Sequence, residues 1–204
     1  MIIKICGITS IAMAEAAQAA GADWIGFVFA NSRRRIDSAA AREISRKVPD
    51  IGKAGVFVNA PLAEVQEIAM QCKLDYIQLH GGESADYCRA LHLPVIKAIK
   101  PGVFSAEEVN AFPAQWLLVD GFSEQQFGGT GVPFAWTEFQ QIRQQITKPL
   151  LIAGGLHSDN VREAMRLLAP DGVDVSSGVE VNGAKNAASI HEFIGTVRRE
   201  ERYA

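Results

Sequence analysis

Eight short apolar segments alternate with amphipathic segments of helical period along the 204 residues, predicting an α/β protein of the (β/α)8 TIM-barrel class, one compact domain over 1–204. The strand-like segments are apolar throughout, as in an all-parallel sheet covered by helices. Eight units in this length leave about 25 residues for each, compact for a fold of this kind. A doubly wound open sheet is the competing architecture, and in both the residues just after the strands converge on one face.

Strands are expected at 2–6, 24–29, 54–58, 76–79, 95–98, 116–119, 150–153 and 173–175. Between them, Leu62, Val65, Ile68 and Ala69 share one helix face; Val161, Ala164, Met165 and Leu168 share a second; Ile190, Phe193, Ile194 and Val197 share a third. Pro49, Pro61, Pro94, Pro113, Pro149 and Pro170 fall at boundaries between elements, where proline is tolerated. No linker, low-complexity tract or clear repeat interrupts the series.

A hydrophobic share of 48% supports a large core, and a net charge of −3 argues against a general nucleic-acid surface. Three cysteines, Cys6, Cys72 and Cys88, make no disulfide framework and fit a reducing cytoplasm. No apolar run reaches the ~20 residues of a membrane helix, and no export leader precedes the first strand. A soluble cytoplasmic protein with no nucleic-acid or membrane partner is expected.

The chemistry is sought at the eight strand ends. Cys6 closes the first strand before Gly7, where a thiol is either a reactive group or a small buried hydrophobe. The second strand opens into Ser32, Arg33, Arg34 and Arg35, a solvated or partner-facing run unless a guanidinium fork holds a planar carboxylate. His80 ends the fourth strand as an acid, a base, an orienting group or a structural one. Lys97 points either into the mouth or outward. Asp120 ends the sixth strand, where desolvation can keep a carboxyl protonated and able to donate; the alternative is a cap on the glycine-rich 121–133 loop. The seventh and eighth strands run into Gly154-Gly155, with a helix expected from near Ser158, and into Ser176, Ser177 and Gly178. Two glycine-containing turns at these junctions favour a bound phosphate, and so a phosphorylated small-molecule substrate.

Taken together, KICGIT at 4–9, GFVF at 26–29, SRR at 32–34 with Ile36, GVFV at 55–58, QLHG at 78–81, the 120–131 segment with Phe134 and Trp136, GGL at 154–156 and DVSSGVE at 174–180 resemble the phosphoribosylanthranilate isomerase family of tryptophan biosynthesis. The resemblance spans the whole chain. It implies an Amadori rearrangement of N-(5-phosphoribosyl)anthranilate to 1-(2-carboxyphenylamino)-1-deoxyribulose 5-phosphate. Asp120 would be the general acid and Cys6 the general base, the thiol biased toward thiolate and the carboxyl held protonated. Arg34, or else Arg33 or Arg35, would pair with the anthranilate carboxylate; Asp174 would face the substrate amine and His80 would contact substrate. The phosphate would lie on Gly154, Gly155, Ser177 and Gly178. Neither metal nor organic cofactor is implied, and association with neighbouring tryptophan-pathway enzymes is left open. The family usually has an aspartate where this chain has Asn186. The alternatives are another phosphosugar isomerase barrel of the histidine-pathway type, or a phosphate-binding descendant without turnover.

Overall fold

The structure, a computed structural model, describes residues 1–100, 102–121 and 136–202, the side chains of 136–138 excepted. The chain runs β1 (Ile2–Cys6), α1 (Ile11–Ala20), β2 (Trp24–Val28), α2 (Ser38–Lys47), β3 (Gly52–Phe57), α3 (Leu62–Cys72), β4 (Tyr76–Leu79) and α4 (Ala85–Arg89). It continues through β5 (Val95–Ile99), α5 (Ala106–Ala111), β6 (Trp116–Val119), α6 (Trp136–Arg143), β7 (Leu150–Ile152), α7 (Val161–Leu168) and β8 (Gly172–Val175). A short hairpin follows, β9 (Glu180–Val181) with β10 (Ala184–Lys185), and α8 (Ala187–Glu201) closes the fold. Strands β1 to β8 pair in sequence order, and β8 returns to β1, so the sheet is a closed parallel barrel.

Period-two alternation divides each strand between two cores. Ile3, Ile5, Ile25, Phe27, Leu117, Val119, Val173 and Val175 turn outward into the shell shared with the helices. Trp24, Ala54, Ile96, Leu118, Leu151 and Ala153 fill the barrel itself. Its N-terminal end is closed by aromatic rings, with Trp24 centred 4.3 Å from Tyr76 and 5.1 Å from Trp116. This floor extends β3 to Gly52, two residues earlier than expected, because a Cβ at Gly52 would meet the Trp24 ring at 2.5 Å. Gly52 and Lys53 are weak strand formers, yet they pair with Trp24 and Ile25.

The helical faces read from sequence are turned to the shell: Val161, Ala164, Met165 and Leu168 are buried, as are Ile190, Phe193, Ile194 and Val197. Side chains of Ser10, Asp37, Ser84 and Ser105 cap α1, α2, α4 and α5 by accepting backbone N–H groups. Asn186 caps α8 in the same way, accepting from Ser189 N at 3.0 Å, so an amide here serves as an aspartate would. Helix α7 starts at Val161, later than the expected Ser158, because Asn160 Oδ1 first accepts His157 N at 2.8 Å and closes a turn.

Lys97 faces outward from the barrel and is buried against the shell. Its ammonium donates to Glu83 Oε2 at 2.8 Å and to the Gly81 carbonyl at 2.6 Å. Glu83 also accepts the backbone N–H groups of Asn59 and Gly81, at 2.8 and 3.0 Å, so one buried carboxylate ties the loops after β3 and β4 together. Burial alone would raise the Glu83 carboxyl, but the Lys97 bond and these N–H donors hold it below its usual value. Lys97→Met leaves that carboxylate buried without its cation, and a loss of about 3–5 kcal/mol is expected in urea unfolding at neutral pH. The pair's contribution fades as pH falls toward the carboxylate range, since a depressed folded-state pKa stabilises only above the unfolded value.

Candidate active site

At the C-terminal ends of the strands lies a cavity of about 370 Å³, reached by Cys6, Arg34, His80, Asp120, Gly154, Gly155, Asp174 and Ser177. These are the residues singled out from sequence, Gly178 excepted. Gly178 stands directly behind the lining, where loops seven and eight pack so closely that a Cβ would sit 1.8 Å from the Leu156 carbonyl. Gly154 is required for a similar reason: it has φ +83°, and a Cβ would meet Gly121 N at 2.1 Å. The segment 122–135, with the expected 128–131 glycine run and Phe134, and the Trp136 side chain fall outside the described residues.

Cys6 and Asp120 stand on strands three places apart around the closed ring and open onto the same cavity. Both are nearly buried, at 8% and 5% exposure, so each sits in an environment that disfavours its charged form. Burial pushes the Cys6 thiol up and Asp174 pushes it further, while the ammonium groups of Lys4 and Lys185 pull it down. Burial prevails. The expected bias toward thiolate is therefore present as two cations, but the net direction is toward the thiol.

Asp120 Oδ2 lies 3.5 Å from His80 Nε2, and His80 Nδ1 is 3.3 Å from the Gln78 side-chain nitrogen. Burial first, then the charges of Lys4 and Lys97, lowers the imidazole to about 4. At neutral pH His80 is uncharged. With the Gln78 amide oriented as a donor, Nδ1 accepts and the ring proton sits on Nε2, facing Asp120.

Of the three consecutive arginines, Arg34 alone lines the cavity; Arg33 and Arg35 are exposed. Its guanidinium is held by Glu180, with Nε donating to Oε1 at 2.6 Å and Nη2 to Oε2 at 3.1 Å. Glu180 also accepts from Arg33 and from Lys185. Burial would raise the Glu180 carboxyl, yet these cations keep it below its ordinary value. The hairpin that aligns Glu180 with Lys185 turns on Asn182 and Gly183, both at positive φ. Lys185 further donates to the Ser176 carbonyl at 2.8 Å, and Ser176 Oγ to the Cys6 carbonyl at 3.1 Å, which locks the loop after β8 against β1.

Three features were not anticipated from sequence. Lys4 is fully buried and donates to Asp174 Oδ1 at 3.0 Å, although strand alternation, with Ile2, Lys4 and Cys6 on one face, was signal enough. Gln78 shares the face of His80 by the same rule. The Asn182-Gly183 dipeptide marks the hairpin.

A family model for N-(5'phosphoribosyl)anthranilate isomerase matches residues 3–196. The chain belongs to the phosphoribosylanthranilate isomerase family. The isomerase of Desulforamulus reducens is 49% identical over 96% of this chain and 94% of its own length. That of Oceanobacillus iheyensis is 44% identical over 98% of both. Among solved structures, the family member from Thermus thermophilus superposes with a TM-score of 0.88 at 33% identity, covering 98% of this chain and 99% of its own. A further family structure, crystallised with reduced 1-(o-carboxyphenylamino)-1-deoxyribulose 5-phosphate, superposes at 0.82 with 34% identity, covering 98% of this chain and all of its own. No group of histidine, cysteine or carboxylate side chains that could hold a metal ion occurs among the described residues, and no described helix is long and apolar enough to cross a membrane.

Proposed function

We propose that the chain isomerises N-(5-phosphoribosyl)anthranilate to 1-(2-carboxyphenylamino)-1-deoxyribulose 5-phosphate, with Asp120 as acid and Cys6 as base. The observation that carries this reading is that both groups open onto one cavity whose rim holds an arginine on one side and two glycine-containing turns on another. Family membership supports it throughout the chain.

Protonation of the ribose ring oxygen by Asp120 breaks its bond to C1′, and the nitrogen lone pair forms the C1′=N bond of a Schiff base. The Cys6 thiolate takes the C2′ proton. The C–H electron pair becomes C1′=C2′ and neutralises the nitrogen, giving an enolamine. Proton gain at C1′ and loss from the C2′ hydroxyl yield the ketone, with no net change in atoms. The substrate's own nitrogen serves as electron sink, so the reaction requires neither metal nor organic cofactor.

His80 orients Asp120, and Asp174 faces the substrate nitrogen. The backbone around Gly154, Gly155, Ser177 and Gly178 receives the phosphate. Arg34 receives the anthranilate carboxylate, presenting the edge of the guanidinium that Glu180 leaves uncovered. In Arg34→Ala the Glu180 carboxylate keeps Lys185 and Arg33, so the fold is retained. The loss falls on binding: KM rises about ten- to a hundredfold, corresponding to ~1.5–3 kcal/mol for hydrogen bonds to a charged group, with kcat changed little. An unchanged KM would shift the carboxylate contact to Arg33 or Arg35.

The test of the function is the loss of substrate fluorescence with phosphoribosylanthranilate, run beside the aminoaldose substrate of the histidine-pathway isomerase. Turnover of the first at a rate well above the second is expected. Turnover of the second alone, or of neither, contradicts the proposal.

A further inference from the structure

The deepest charge in the barrel has no part in the proton transfers above. Lys4 is completely buried, on the same face of β1 as Cys6 and next to it in that alternation. Its ammonium donates to Asp174 Oδ1 at 3.0 Å across the β1–β8 pairing, where Lys4 and Asp174 stand directly opposite. A methyl built on Gly26 would meet Cys6 Sγ at 2.9 Å and Lys4 Nζ at 3.1 Å, so thiol and ammonium converge over the bare backbone of β2. The ammonium's charge favours the ionised sulfur, and the ionised sulfur favours the ammonium.

Burying an ammonium is costly, and a lysine serving stability alone is replaced at little loss by an apolar residue when its partner is replaced too. Asp174 is its anionic partner. The Cys6 sulfur converges on it as well.

We infer that Lys4 is a positioning residue for Cys6: anchored by Asp174, its ammonium converges with the sulfur and eases formation of the thiolate that accepts the C2′ proton. This assignment rests on the isomerase reading for its chemistry, but its electrostatic core does not need substrate. Burial acts against the Lys4 charge, yet Asp174 and Cys6 together raise its proton affinity above the ordinary lysine value, so it is cationic throughout the working range.

The groups facing Cys6 are few and named. Asp174 approaches from β8 and opposes the thiolate; Lys185 approaches from β10 and favours it. Neutral His80 from β4, Asp120 from β6 and the Glu180-paired Arg34 share the cavity. Of the charges acting on the sulfur, that of Lys4 is the strongest, ahead of Asp174 and Lys185, so removing Lys4 outweighs removing either.

The experiment is the pH dependence of Cys6 alkylation by iodoacetamide in the intact protein, read on the Cys6 peptide by mass spectrometry so that Cys72 and Cys88 do not contribute. Two variants are compared with wild type. Lys4→Gln keeps a donor for Asp174; Lys4→Met combined with Asp174→Asn removes both buried charges and leaves none uncompensated. In both, the alkylation midpoint is expected to rise, by about 1–3 pH units in Lys4→Gln and by less in the pair, because an opposite charge at this range is worth that much. Turnover in Lys4→Gln falls in kcat with KM little changed, and is partly restored at high pH.

A midpoint that stays or falls in the folded variants overturns the inference while leaving the isomerase reading intact. Wild type without turnover of phosphoribosylanthranilate, but with the midpoints moving as stated, removes that reading and retains the Lys4–Cys6 coupling.

Discussion

Replacing Cys6 by serine is expected to leave the barrel folded and lower kcat about 10²–10⁴-fold, the usual share of a positioned base. Serine is nearly isosteric, and the β1 backbone pairs with β2 and β8 regardless of the side chain. What is lost is the sulfur's basicity: a hydroxyl in the same place is far harder to ionise. The pH dependence gives the sign. A base must be deprotonated to act, and burial moves the Cys6 thiol upward, so wild-type kcat/KM rises with pH through and above neutrality as the thiolate fraction grows. Cys6→Ser abolishes that limb. Wild-type turnover in the variant removes the thiol from the mechanism.

Asp120→Asn is expected to lower kcat by a similar about 10²–10⁴-fold, for a different reason. The amide keeps the shape of the carboxyl beside His80, but its N–H protons are far too weakly acidic to be given to the ring oxygen. The two variants therefore stall the reaction at different steps, which substrate deuterated at C2′ separates. With Asp120→Asn, ring opening limits turnover and the isotope effect shrinks toward one. With Cys6→Ser, C2′–H cleavage limits and the effect grows. Equal isotope effects in the two variants would contradict the division of labour between acid and base.

The barrel was legible in the sequence because its strands carry β-branched and apolar residues on both faces, and its helices bury a stripe of fixed period. Strand ends differ from expectation by two residues or fewer, and at Gly52 and Ala153 the cause is local. Gly52 lacks a side chain because the Trp24 ring occupies that space, and a missing side chain leaves no propensity to read. The 150–153 segment ends as a strand at Ile152, with Ala153 N still donating to Val119 O at 2.7 Å before the turn that brings Gly154 against Gly121.

At the site, the residues facing the cavity were legible because chemistry concentrates at strand ends in this fold. What the sequence did not reveal is which ions pair. The direction of Lys97 was ambiguous in an apolar run, and tertiary packing with Glu83 decided it. Arg34 could be separated from Arg33 and Arg35 only by its side chain reaching the cavity. For Lys4 the alternation fixed the face but not the partner, since Asp174 arrives only when β8 closes onto β1.

The most direct measurement is a crystal structure of this chain with reduced 1-(o-carboxyphenylamino)-1-deoxyribulose 5-phosphate bound. The account predicts the phosphate against Gly155 and Gly178, the carboxylate at Arg34, and the sugar chain between the Cys6 sulfur and the Asp120 carboxyl. A ligand bound with its sugar out of reach of either group, or with its phosphate at Arg34 instead, would contradict it.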